Sequence, residues 1–169
     1  MTSAVIRGGR ISRRPSKARV AVLTAGLLGL LGAYLVATIT HADAAETIVS
    51  QGKPVTVSSI EWAGTPAAAA VDGDTGTRWS SAFAADQWIQ VDLGTPTSIS
   101  RVALNWEAAY AKAFSVQLST DGTNYTQGYS TTTGTGGQQS IPLTGTARFV
   151  KLNLTQRALK DRSGSTRFE

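Results

Sequence analysis

The sequence runs to 169 residues with no cysteine, a single histidine and a formal charge of +5, enough chain for one domain of ordinary size. Without cysteine a disulfide scaffold is excluded, so an exported domain of this make-up relies on a hydrophobic core, with or without a metal. The histidine, His41, lies near the N-terminus, which leaves the body without a Ser-His-Asp triad, a Cys-His dyad or an ordinary zinc or copper site.

Residues 1–44 hold six cations (Arg7, Arg10, Arg13, Arg14, Lys17, Arg19) and one anion, Asp43, leaving ten of the 16 cations and ten of the 11 anions for the body. The body is therefore neutral and lacks the broad basic footprint of a nucleic-acid binder. Only its tail (Arg157, Lys160, Arg162, Arg167) is locally basic, which reads as solvated surface. Residues 1–44 read as an export signal: a basic start, an uncharged apolar run from Val20 to Ile39, and the small-residue site Ala42-Asp43-Ala44. "SRRPSK" (Ser12 to Lys17) is similar to a twin-arginine signal except at Ser16, where an apolar residue is usual. The apolar run is also long enough to cross a bilayer as a helix. Residues 20–39 are thus either a cleaved signal or a retained N-terminal anchor, and the positive-inside rule puts the domain outside the cytoplasm in both cases.

A short linker, residues 45–51, leads into a body, residues 52–169, of strands and turns. Ala67 to Ala70 allows at most one helical turn. "WIQVDLG" alternates Ile89, Val91 and Leu93 against Trp88, Gln90 and Asp92; "SISRVALNW" puts Val102, Leu104 and Trp106 on one face. "FSVQLS" does the same with Phe114, Val116 and Leu118, and "RFVKLNL" with Val150, Leu152 and Leu154. Period-two patterning with one apolar face predicts half-buried strands. Turn signals separate them at Gly94-Thr95-Pro96, Asp121-Gly122, Gly134 to Gly137 and Gly145. The expectation is an antiparallel sandwich or barrel, with Trp79 and Trp88 in its core.

Three groups of residues invite a chemical reading. "DGDTGT", Asp72 to Thr77, lacks the Gly-Lys-Ser/Thr ending of a phosphate loop. It is no EF-hand either, because the twelfth position is Phe83 and not a bidentate Glu. Asp72, Asp74 and Thr77 offer hard oxygen donors to a calcium ion, with Gly73 and Gly76 letting carbonyls turn inward; a plain polar turn explains the same spacing. Trp62, Phe83 and Tyr110 fall outside the alternating runs and close to Glu61, Asp86 and Glu107. An aromatic face against a sugar ring, with carboxylates and an Arg on the hydroxyls, would use such a set; so would a hydrophobic plug at the end of the sandwich. Glu61 and Glu107 also suit a glycosidase pair, which needs carboxyls roughly 5–10 Å apart. With ten acids in the body a pair carries little weight, and a sandwich this small offers no deep cleft, so no catalysis is expected.

From about Gly52 onward the sequence resembles the coagulation-factor V/VIII type C (discoidin) domain, and within that group the bacterial family 32 carbohydrate-binding modules. The markers are "AVDGD..TRW", "QWIQVDLG", "LNWEAAY" and "STDG.NY", in that order. The resemblance implies an eight-stranded jelly-roll β-sandwich of the galactose-binding-like kind, with ligand loops at one end. It implies a structural calcium held by the Ala70 carbonyl, Asp72, Asp74, Thr77 and Glu169. It implies a saccharide surface formed by Glu61, Arg78, Phe83, Glu107 and Tyr110, with Arg78 facing the ligand end and Trp79 the core; Trp62 joins this set. Two carboxylates suit a β-glucan or a cationic, chitosan-like chain. The tail "RALKDRSGSTRFE" departs from the family: Asp161 and Ser163 stand where aromatics are common and Thr166 where Trp is usual, so the last strand is expected to be short. The expected function is a monomeric, non-catalytic module holding its bearer on a poly- or oligosaccharide. A membrane- or protein-adhesion module is the alternative.

Overall fold

The computed structural model of the protein describes residues 3–8 and 47–158. The span 20–39, read as signal or anchor, lies outside these residues, as does the departing tail beyond Ala158, Glu169 included. Among the described residues there are seven strands: β1 (Ser3–Gly8), β2 (Thr47–Ile48), β3 (Val55–Val57), β4 (Gln87–Asn105), β5 (Ala111–Ser119), β6 (Thr126–Thr131) and β7 (Gln138–Arg157). Ala67–Ala70 forms a single 3-10 turn. The strands run in the order β2-β1-β4-β7-β5-β6, with β3 also on β4, and every pairing is antiparallel. The all-β expectation is met.

Alternation accounts for the strands. Ile89, Val91 and Leu93 are buried on one side of β4, each such side chain contributing about 1.5–3 kcal/mol of transfer free energy. Trp88 takes the opposite side, where Lys151 Nζ lies 4.6 Å from its ring centroid. The core assignment of Trp88 is therefore corrected, since period two puts it across from Ile89. Trp79, by contrast, is buried and its indole Nε1 donates to Ser59 O at 2.9 Å. Leu118 is only half-buried.

β4 and β7 are 19 and 20 residues long, and their register breaks between Asp92 and Thr97. Gln87 to Asp92 pairs with Leu154 to Phe149, and Thr97 to Asn105 with Ala147 to Gln138. Gly94-Thr95-Pro96 is thus a corner inside continuous β4, and Gly145 lies within β7 opposite Ile99, so neither separates two strands. Gly94 adopts φ 86°, a conformation that glycine takes without a Cβ penalty. Asp92 Oδ1 accepts from Gly94 N at 2.8 Å, and its two oxygens accept from Arg148 Nε and Nη2 at 2.8 and 2.9 Å. Past the corner both strands cross to a second layer, so Ile89, Val91, Val150 and Leu152 meet Val102 and Leu104 around one small apolar cavity. That is a β-sandwich.

The sheet also takes in β1, from the segment read as an export leader. It pairs with β4 from Ser3↔Asn105 to Arg7↔Arg101, and Ile6 is 2 % exposed in the core.

Candidate functional site

Because β4 doubles back at its corner and only residues 106–110 separate it from β5, both ends of β4, the start of β5 and the end of β7 converge at one end of the sandwich. The loops there carry every residue singled out for saccharide binding. Direct hydrogen bonds join them. Glu61 N donates to Ser80 O at 2.8 Å, and Ala82 N to Ser59 Oγ at 3.0 Å, so the Glu61–Trp62 loop lies along the Arg78–Phe83 segment. Gln87, 6 % exposed, accepts from Ser58 Oγ at 2.5 Å and from Ser59 Oγ, and its Nε2 donates to Ala85 O at 3.3 Å. One buried amide thereby fastens two loops. Asp86, at φ 55°, turns the chain into β4.

Arg157, at the end of β7, donates from Nη2 to Ala84 O beside Phe83. Ala111 pairs with Arg157, and Ala158 N donates to Tyr110 O at 3.1 Å. Arg157 is thus a strut between the Phe83 loop and the Tyr110 loop, with its guanidinium lowered to about 10 by burial, still a cation at neutral pH. The reading of Arg157 as solvated tail is corrected: its backbone completes a strand and carries the side chain inward. The Trp106–Tyr110 loop is held in turn by Trp106 N to Gly137 O and Trp106 Nε1 to Gln139 Oε1, both 2.9 Å.

Trp62 and Phe83 are 62 % and 48 % exposed, too open to act as plugs. Tyr110 is half-buried against the core. Glu61, Arg78 and Glu107 are all partly exposed, with Glu107 Oε2 accepting from Ala108 N at 3.4 Å. The arrangement is a shallow surface with open aromatic faces and charges of both signs. Sequence reasoning missed Gln87, Arg157 and Gly64, the last of which lies directly beneath the Trp62 ring.

Asp72, Asp74 and Thr77 lie together in a separate loop that follows the 3-10 turn ending at Ala70. Asp72 Oδ1 accepts from Asp74 N at 2.9 Å and its Oδ2 from Thr77 Oγ1 at 2.6 Å; Asp74 Oδ1 accepts from Gly76 N at 2.7 Å. The 50–53 turn braces the loop, with Gly52 N on Val71 O at 2.8 Å. The donor types fit a hard cation such as calcium. Among the described residues no three His, Cys, Asp or Glu side chains form a metal cluster, so a cation here would need further oxygens from carbonyls or from Glu169, which lies outside the described residues.

A family model described as "F5/8 type C domain" matches residues 54–167. Chitosan-binding module 2 from a chitosanase/glucanase of Paenibacillus sp. IK-5, solved with chitotriose, is 44 % identical with a TM-score of 0.66, over 71 % of this chain and 94 % of its own. Chitosan-binding module 1 from the same source is 42 % identical with a TM-score of 0.66, over 71 % and 92 %. A polysaccharide lyase 8 family protein, HylA, from Enterococcus faecalis is 39 % identical over 69 residues, 41 % of this chain and 5 % of the lyase. The chain thus spans a small fraction of that relative.

Proposed function

The chain belongs to the F5/8 type C domain family, and from that premise we propose that it is a non-catalytic carbohydrate-binding module for β-1,4-linked glucosamine or glucose chains. The observation that carries this reading is the pairing of exposed Trp62 and Phe83 rings with Glu61 and Glu107 on cross-linked loops at one end. Supporting it is the similarity to two chitosan-binding modules, one of them solved with chitotriose. In this reading the rings stack on the apolar faces of sugar residues. Glu61 and Glu107 bond hydroxyls or an ammonium group, and Arg78 takes a hydroxyl. A preformed surface keeps the ordering cost of binding low.

Charge separates the two ligands. Binding to a cationic chain weakens with salt because exposed charges are screened, whereas binding to a neutral glucan does not. A glycan array run with the full chain tests the class: signal on chitosan or β-glucan oligomers that falls in Glu107→Gln and Phe83→Ala supports it, and a blank array from folded protein contradicts it.

Ile60, 45 % exposed, adds to Trp62 and Phe83 and favours one second reading, adhesion to a lipid surface or protein. Liposome binding that survives Glu107→Gln but not Phe83→Ala would select it. Two further assignments complete the proposal. Calcium bound by the Ala70 carbonyl, Asp72, Asp74, Thr77 and Glu169 would stiffen the 72–77 loop. Export to the cell exterior follows from the basic start, the apolar run and the Ala42-Asp43-Ala44 site.

A further inference from the structure

Beyond Tyr110 the surface continues onto the connection between β6 and β7. Gly134 N donates to Lys112 O at 2.8 Å, and Gly137 O accepts from Trp106 N at 2.9 Å, so both ends of the 134–137 turn are fastened to the segments that flank Tyr110. An added Cβ on Gly134 would lie 2.6 Å from Ala111 O, and one on Gly136 2.6 Å from the Tyr110 ring, so the turn lies directly against both. Thr135, between these two glycines, is exposed. The hydrogen bonds beneath it run in one direction. The Trp106 indole N–H can only donate, and it donates to Gln139 Oε1 at 2.9 Å. That fixes the amide so that its Nε2 donates to Thr135 Oγ1 at 3.1 Å. The Thr135 hydroxyl therefore accepts from within, and its own proton is left for a partner outside. The strand residues that border the turn, Lys112 and Arg157, are both cations, Arg157 lying opposite Ala111.

We propose that Thr135 is a further saccharide contact, a hydrogen-bond donor to the sugar residue next beyond Tyr110, and that this subsite takes a neutral residue in preference to a cationic one. A ring hydroxyl or an acetamido carbonyl offers the acceptor oxygen that the Thr135 proton requires. An ammonium group only donates; placed there it would leave that proton without a partner and would meet like charge from Lys112 and Arg157. The inference rests on the saccharide reading and narrows it. Glu61 and Glu107 serve a hydroxyl or an ammonium, whereas the sugar at Thr135 is glucose or N-acetylglucosamine. The favoured ligands are then a β-glucan or a partly N-acetylated chain, and not a fully deacetylated one.

The test titrates the full chain in a calorimeter with cellohexaose, a partly N-acetylated chitosan hexamer and a fully deacetylated one. The wild type is expected to favour a hexamer that carries neutral residues over the fully deacetylated hexamer. Thr135→Val keeps the shape of the side chain and removes the hydroxyl. It is expected to lower affinity for the neutral-bearing hexamers about 3- to 10-fold, the scale of one hydrogen bond, and affinity for the fully deacetylated hexamer by less. Thr135→Ser keeps the donor and is expected to bind as the wild type does. Tightest wild-type binding to the fully deacetylated hexamer, or unchanged affinity in Thr135→Val, overturns the proposal. So does an equal loss on all the hexamers, or a Thr135→Ser variant as weak as Thr135→Val. Folded wild type that gives no heat with any hexamer overturns the saccharide reading as well, which tells the two failures apart.

Discussion

A Cβ built on Gly64 would stand 2.1 Å from the Trp62 ring, and one on Gly136 2.6 Å from the Tyr110 ring. Two of the site's aromatic rings therefore lie on glycines. Thr65 N and Oγ1 both donate to Trp62 O, at 3.0 and 3.2 Å, which fixes the turn that brings Gly64 under the indole. Gly64→Ala should push the ring off its seat and weaken oligosaccharide binding about 3- to 10-fold, the range of a lost aromatic contact. Because Trp62 is 62 % exposed, the melting temperature should change little. Calorimetric titration and scanning of the variant check both halves, and unchanged affinity would remove Trp62 from the binding surface. At this scale the sequence was informative where a residue broke a pattern: Trp62 and Phe83 stood outside the alternating runs and proved exposed. It was silent where a partner is distant, as with Arg157, whose acceptor Ala84 is 73 residues away.

The strands owe their course to corners and caps, and two carboxylates serve these. Asp92 is held below the ordinary carboxylate range chiefly by its hydrogen bonds from Arg148, with Gly94 N–H adding to this and burial opposing it. Asp121, between β5 and β6, is lowered further, first by Asn124 N–H, then by the Asn124 side chain and Thr123 N–H. A carboxylate whose folded pKa lies below its unfolded value of about 3.9 contributes stability that is complete above that pH and lost as pH falls through the folded value. Asp92→Asn and Asp121→Asn should therefore melt below the wild type at pH 7 and converge with it in strong acid. Thermal melts across the acid range check this, and a gap that stays constant with pH would contradict it. Every strand run quoted from the sequence is strand in the structure except at Trp106, which follows the end of β4, because alternation with one buried face is a local signal. Gly94-Thr95-Pro96 and Gly145 read as turns between runs but lie inside β4 and β7, because a corner or a bulge uses the same residues as a turn; only the register between β4 and β7 tells them apart.

At the level of the whole molecule, the chain divides its tasks between regions. Doubled-back β4 gathers the saccharide loops at one end, the 72–77 loop offers hard oxygens, and β1 pairs between β2 and β4. That last pairing was not legible in the sequence, because "SAVIRG" reads equally well as the start of a leader and as a strand. Calcium should raise the melting temperature of the full chain, by linkage worth about 2.7 kcal/mol at a hundred times the dissociation constant. Asp72→Ala should abolish that rise, and no shift at millimolar calcium in the wild type would remove the ion. The central claim, a saccharide surface built on Glu107 and the exposed rings, is tested most directly by titrating chitotriose into the wild type and Glu107→Gln in a calorimeter. Binding in the wild type that falls about tenfold or more in the variant, the scale of a lost charge-assisted hydrogen bond, is the predicted result. No heat with folded wild type, or equal affinity in both proteins, would contradict it.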